Sequence, residues 1–294
     1  MSNPALWIAG ARPRTLPAAI APVLIGTALA GSAWIPSRAA LALIVALALQ
    51  VGVNYANDYS DGIKGTDRAR VGPVRLVGQG LAKPSAVRNA AIGCFLIAAI
   101  AGFILVILTT QWWLLAVGAS AIAAAWLYTG GPRPYGYAGL GEVFVFVYFG
   151  LVPVLGTMYV QTGSVNASAV IAAIAIGALT TAILVANNLR DIPTDTEAGK
   201  HTLAVRLGDR RTRALFVVLI MVGFSGTLIL TWLSTSWALL GLASIPWAIG
   251  PIRIVAGGAI GRDLVPALSG TGVLVAVYSV SLSLGLVIGL VLRP

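Results

Sequence analysis

Charge is scarce in this 294-residue chain: 10% of its residues are Asp, Glu, Lys or Arg, against about a quarter in an ordinary soluble domain. Nine residues are acidic, one is a cysteine and one a histidine. The lone cysteine, Cys94, excludes an intrachain disulfide framework and a cysteine-based metal centre, and its setting in AAIGCFLIAAIAGF is that of a small apolar residue. His201, equally alone, cannot build a histidine site. The phosphate-binding patterns GxxxxGK[ST] and GxGxxG are absent, so no nucleotide fold is expected. The opening stretch MSNPALWIAGARPRTLPAA has no charged region followed by an apolar core and a cleavage site, and a removable signal peptide is not expected.

What fills the chain is apolar: 58% of residues are hydrophobic and the mean hydropathy is +0.92. A bilayer core about 30 Å thick takes roughly 20 apolar residues per helix, whereas a barrel would show short alternating segments. The runs are long and unbroken, so the expectation is an all-α, polytopic membrane protein forming a single domain over 1–294. Breaks at charged and Pro/Gly-rich stretches place nine spans, near 15–33, 39–57, 87–109, 112–129, 141–161, 168–188, 212–233, 235–252 and 268–291. The 34 glycines scattered along them let helices approach closely, and GLVIG at 285–289 is read as packing.

A formal charge of +10 would suggest nucleic acid for a soluble protein. Here membrane topology accounts for it, and no nucleic-acid partner is expected. With the N-terminus inside, only Arg38 and Arg293 fall outside, leaving 17 of the 19 basic residues on the inner face. That pattern fits a multi-pass protein of the bacterial cytoplasmic membrane. The positive-inside rule makes no demand on acids, yet all nine also lie inside. The outer connections, such as STSW and QTGSVNAS, are nearly uncharged. Chemistry is therefore expected in the two long inner connections, about 58–86 and 189–211, whose similar layout hints at a repeat of helix pairs.

Each inner connection follows an apolar helix and opens with a carboxylate stripe. If the second span continues past Val53, then Asn54, Asp58 and Asp61 stand at i, i+4 and i+7 on one face. Asn187, Asp191 and Asp195 stand at i, i+4 and i+8 at the end of the sixth span, with Pro193 expected to make the last turn irregular. Carboxylates so close repel, and a charge near a membrane helix is costly, so something must compensate. A hard divalent cation such as Mg²⁺ would do so, bridging carboxylates to a diphosphate while the asparagines orient them. A proton relay and a solvated face are the competing readings. Against a relay, these acids all lie at one face instead of being strung across the bilayer. Lys200 in EAGKHTL and Arg133 in YTGGPRPYGY sit beside Gly and Pro where side chains can converge on an anion, although positive-inside anchoring also accounts for such residues.

NDYSDGIKGTD together with RDIPTDTEAGKHT resembles the two Asp-rich motifs of the UbiA superfamily of intramembrane prenyltransferases, and the resemblance extends over essentially the whole chain. Within it, ARPRTLPAAIAPVLIGTA, GTDRARVGPVRLVGQGL, GPRPYGYAGLGEVFVFVYFG and NNLRDIPTDTEAGKHTLAVRLG look like the branch acting on 1,4-dihydroxy-2-naphthoate in menaquinone biosynthesis. The resemblance implies a nine-helix bundle that transfers a polyprenyl group from polyprenyl diphosphate to that naphthoate, with loss of CO₂, giving demethylmenaquinone. It implies Mg²⁺ held by Asp58, Asp61, Asp191 and Asp195, with Lys200, Arg133, Arg14 and Lys64 on the diphosphate. Asn54, Asn57 and Asn187 join the substrate-binding set. Tyr135 and other inner-face tyrosines could offer π faces to a carbocation or simply anchor the interface, and Glu142 could meet the ring hydroxyls or pair with an arginine. Many superfamily members carry an acid at the position of Gly65; this chain has Asp67 instead, which leaves a ligand role for Asp67 open. A sister enzyme using another aromatic acceptor, such as 4-hydroxybenzoate, and a transporter are the rival readings.

Overall fold

The computed structural model describes residues 4–65 and 74–292, so Asp67 lies outside the described residues. All regular structure there is helical. After a short α1 (Pro4–Ala11) come α2 (Leu16–Leu29), α3 (Pro36–Lys64), α4 (Pro84–Thr109), α5 (Leu114–Leu127) and α6 (Gly141–Thr162). They are followed by α7 (Ala167–Glu197), α8 (Leu203–Leu233), α9 (Ser236–Ala256) and α10 (Val265–Val291). Each of the nine expected spans coincides with one of α2–α10. Seven helices of the described chain are long and apolar enough to cross a membrane. Helices α2 and α5 have 14 residues each, too short for a full crossing at about 1.5 Å per residue, so nine crossings are not established by length.

Helix α7 is the axis of the bundle: 72% of its apolar window is buried inside the protein, against 50% or less in the other long helices. Its sequence explains this, since Ala172, Ala173, Ala175, Gly177, Ala178 and Ala182 keep its surface thin enough for α6, α8 and α10 to close on it. At the tightest contact, a Cβ on Gly150 would stand 2.4 Å from Gly177 Cα. Gly150→Val is therefore expected to lower the melting temperature of the detergent-solubilised protein by several degrees, whereas Gly156→Ala, where a Cβ meets open space, should leave it unchanged.

Three local features position the acidic helix ends. Helix α3 does run past Val53 and stops at Gly65, whose φ of 73° is left-handed and suits glycine. Helix α7 continues through Pro193 to Glu197. Helix α6 contains one π turn at Val147–Leu151, just before Pro153, whose missing N–H removes a rung of the ordinary ladder.

Candidate active site

Two cavities meet inside the bundle. One, of about 970 Å³, is lined by polar side chains from α3, α7, the start of α10 and the connections 12–15, 74–75, 128–137, 200–202 and 262. The other, of about 530 Å³, is lined mainly by apolar residues of α2–α6. Ala18, Gln50, Asn57, Tyr128, Val145, Phe149 and Leu184 line both, so the two cavities are neighbours with a common wall.

Of the four expected metal ligands, Asp61 and Asp195 line the polar cavity. Asp61 accepts a hydrogen bond from the Tyr137 hydroxyl and has Arg75 Nη2 at 3.8 Å. Asp195 has Lys200 Nζ at 3.8 Å. The turn that ends α7 sets this second pair. Gly199, at φ 68°, lets its N–H reach Thr196 O and lets Lys200 N–H return to Asp195 O at 2.8 Å, which swings the lysine over the carboxylate. Asn57 and Asn187 also face the polar cavity, Asn57 accepting from the Thr129 hydroxyl at 2.9 Å and Asn187 from Arg190 Nη2 at 2.9 Å.

The other two carboxylates, Asp58 and Asp191, take protein partners beside the cavity. Consecutive residues of a helix turn by about 100°, so Asp58 points well away from Asn57. It is fully buried and accepts the backbone N–H groups of Leu76 and Val77 at 2.6 and 3.1 Å. Asp58 thus ties the 74–77 segment to α3, and that segment delivers Arg75 to Asp61. Asp191 is covered by Arg190, whose Nε and Nη2 reach its two oxygens at 2.7 and 2.8 Å and which itself faces the cavity.

Several other expected binding residues are also placed elsewhere. Asn54 lines only the apolar cavity and donates to Ala11 O and Thr15 Oγ1. Arg133 is exposed and outside both cavity walls, because the Gly130–Pro134 turn carries it outward. Lys64 donates to Thr129 O at 2.7 Å and Gly131 O at 3.1 Å, fastening the same turn to α3. Glu142 is buried behind Asn188, whose amide it accepts at 2.9 Å. Arg14 does line the polar cavity. Tyr135 lines the apolar one, stacked on Phe144 with its hydroxyl donating to Ala124 O at 2.7 Å. Burial pushes the pKa of that phenol up, so it holds its proton and is not a base.

The residue that joins the two acidic segments went unread in the sequence. Tyr137 gives its hydroxyl to Asp61, its carbonyl accepts His201 N–H at 2.9 Å, and its ring lies beneath Lys200 Nζ at 4.5 Å and Lys64 Nζ at 5.2 Å. Its signal was its place two residues after Tyr135 in a Pro/Gly-rich turn, where an aromatic ring can be held between cations. Arg12, Arg75, Arg190 and Arg262 likewise add to Arg14 and Lys200, setting six cations against two carboxylates around the polar cavity. Such a chamber suits a polyanion.

Residues 19–263 match the UbiA prenyltransferase family. The chain belongs to that family. It is 53% identical to the 1,4-dihydroxy-2-naphthoate octaprenyltransferase of Mycobacterium tuberculosis over 98% of this chain and 99% of that protein. It is 38% identical to the Escherichia coli protein of the same name, over 87% of this chain and 86% of that one. Among solved structures, a UbiA homologue from Archaeoglobus fulgidus bound to DMAPP and Mg²⁺ covers 96% of this chain and 99% of its own, with a TM-score of 0.65 at 12% identity. The bundle is thus the UbiA fold, and the protein is integral to a membrane.

The donor set fits a divalent cation shared with substrate, not a closed protein cage. Among the described residues no group of three or more His, Cys, Asp or Glu is close enough to hold a metal. Two carboxylates, Asp61 and Asp195, with the amides of Asn57 and Asn187 nearby, leave coordination positions for water and phosphate oxygens, which is the way Mg²⁺ is commonly bound.

Proposed function

We propose that this protein transfers a polyprenyl group from polyprenyl diphosphate to 1,4-dihydroxy-2-naphthoate in a Mg²⁺-dependent reaction at the inner face of the bacterial cytoplasmic membrane. The observation that carries this reading is a cation-rich chamber lying against an apolar one, an arrangement that suits a molecule with a diphosphate head and an isoprenoid tail. The aromatic acceptor follows from the near-full-length likeness to the mycobacterial naphthoate octaprenyltransferase.

Asp61 and Asp195, with Asn57 and Asn187, would hold Mg²⁺ against the diphosphate. When bound, the metal neutralises charge growing on the leaving group. Lys200 adds a donor to the departing oxygens, Arg75 and Tyr137 hold the Asp61 carboxylate in place, and Arg190 does the same for Asp191. Scission of the allylic C–O bond sends its electron pair to diphosphate. The electron-rich ring forms the new C–C bond, and loss of the carboxylate as CO₂ returns the ring electrons. The product is left at the quinol level, the reduced form of demethylmenaquinone. The apolar wall of Phe149, Val145 and Leu184 keeps water from the cation.

Purified protein given the naphthoate and a prenyl diphosphate should release CO₂ and form the prenylated quinol, and stripping divalent ions should abolish turnover until Mg²⁺ is restored. Prenylation of 4-hydroxybenzoate in preference to the naphthoate would identify the sister activity instead. Binding without C–C bond formation would identify a transporter.

A further inference from the structure

Two of the six cations around the polar cavity have no protein partner. Asp61 has Arg75 and Asp195 has Lys200, each at 3.8 Å, and Arg190 covers Asp191. Arg14 and Arg262 make neither an ion pair nor a side-chain hydrogen bond among the described residues, and both are exposed while lining the cavity. The turn Pro13–Thr15 carries Arg14 and the turn Gly261–Leu264 carries Arg262. Both turns sit beside α10: a Cβ on Gly272 of that helix would stand 3.5 Å from Arg14 O, and Gly261–Leu264 leads directly into it at Val265. Helix α10 packs on α2 and α7, whereas α3, which bears Asp61, packs on α2 and α4, so the two arginines and Asp61 enter the cavity from different sides. The same cavity also has an apolar wall, made by Ala18, Val145, Phe149, Ile183, Leu184 and Leu268.

One diphosphate with its metal accounts for the anion at Asp61, Asp195 and Lys200, and cations left over beside α10 call for a second anion. The apolar wall adds that this anion is carried on an apolar body. Along α7 the lining runs from Thr180 to Arg190, about 15 Å at 1.5 Å per residue, which is long enough for a fused aromatic ring with a carboxylate at its end. Resting on the proposed function above, we infer that Arg14 and Arg262 bind the carboxylate of the aromatic acceptor and so hold its ring against the apolar wall. The sequence resemblance put Arg14 on the diphosphate; its seat beside α10 moves it to the other substrate. Exposure suits the task. Cations at an open edge draw a soluble anion in from water. A carboxylate paired in so wet a setting is held loosely enough to leave as CO₂, whereas a dry, buried pair would oppose that loss. The prenylated product carries no carboxylate and loses this hold.

The test compares ligands with and without the carboxylate. For the full-length protein and its Arg14→Gln and Arg262→Gln variants, in vesicles of phosphatidylcholine, Michaelis constants are measured for the naphthoate diol and for prenyl diphosphate. Competitive inhibition constants are measured for 1-hydroxy-2-naphthoate and for 1-naphthol, which has the same ring and no carboxylate. Each variant should weaken the diol and 1-hydroxy-2-naphthoate on the order of 10-fold and leave 1-naphthol and prenyl diphosphate within about twofold. Arg211→Gln, which changes an exposed arginine outside both cavity walls, is the control. A loss that falls equally on prenyl diphosphate, or equally on 1-naphthol, overturns the inference. Constants that stay unchanged, or that change only in vesicles containing phosphatidylglycerol, also overturn it and make the arginines membrane anchors or a lipid-headgroup site. If the variants do not fold, the wild-type protein still decides: 1-naphthol binding as tightly as 1-hydroxy-2-naphthoate overturns the inference, and a tenfold or greater preference for the carboxylate supports it. No wild-type turnover of the diol overturns the proposed function and this inference together, whereas turnover without a preference for the carboxylate overturns this inference alone.

Discussion

Asp61→Asn and Asp195→Asn should each lower kcat by about 10² to 10³-fold and raise the Mg²⁺ concentration needed for half-maximal activity, while Asp58→Asn should do neither to the same degree. The first two carboxylates line the polar cavity, and each substitution removes a ligand charge without changing volume. Losing a metal-orienting group alone typically costs 10- to 100-fold in affinity, and losing a ligand costs at least that. Asp58 instead accepts two backbone N–H groups of the 76–77 segment in full burial, so Asp58→Asn replaces one good acceptor with a donor. Its expected mark is a lowered melting temperature with a nearly normal Mg²⁺ half-saturation. Steady-state rates across a Mg²⁺ titration, with thermal unfolding of each variant, separate the two outcomes. An Asp58→Asn variant that folds normally but requires far more Mg²⁺ would place the metal at Asp58 as well.

The second large effect falls on Lys200. A lysine serving only membrane orientation is one of the 17 basic residues that the sequence pattern assigns to the inner face, and Lys200→Ala would then barely alter activity. Buried to 6% exposure, seated over Tyr137 and 3.8 Å from Asp195, it lines the cavity to which the proposed function assigns the diphosphate. Lys200→Ala should lower kcat on the order of 10²–10³-fold, roughly 3–4 kcal/mol, with a smaller rise in the Michaelis constant for prenyl diphosphate. The control has to be chosen from the tertiary structure. Arg213 looks neutral in the sequence, yet it donates to Val255 O and Ala259 O at the end of α9 as well as pairing with Asp209. Arg211, which is exposed on α8, is the better comparison. Equal and small losses for Lys200→Ala and Arg211→Ala would make Lys200 an anchor and move the clamp to Arg14, Arg75 or Arg190.

Much of the architecture was written locally. Apolar run length and the Pro/Gly breaks between runs located nine helical segments, because a helix in lipid must satisfy its own backbone and so shows itself in composition. The carboxylate-bearing helix ends, the asparagines at helical spacing and the Gly-Lys turn after α7 were equally legible, since each depends on residues within a few positions of one another. The number of full crossings was not, because α2 and α5 have apolar sequence but only 14 residues of regular helix.

Sequence alone therefore determined that the chain is a helical membrane protein, and it located two separated acidic segments at helix ends. Which carboxylates face the chamber was decided only by tertiary structure. Helical spacing defines a face to within about a hundred degrees, and the choice between Asp58 and Asp61, or Asp191 and Asp195, depends on what packs against that face from far along the chain. Backbone N–H groups of Leu76 and Val77 took Asp58, and Arg190 took Asp191, leaving Asp61 and Asp195 to the cavity. For the same reason Tyr137 carries no local mark of its place between the two acidic segments: it meets Asp61, 76 residues away in the chain.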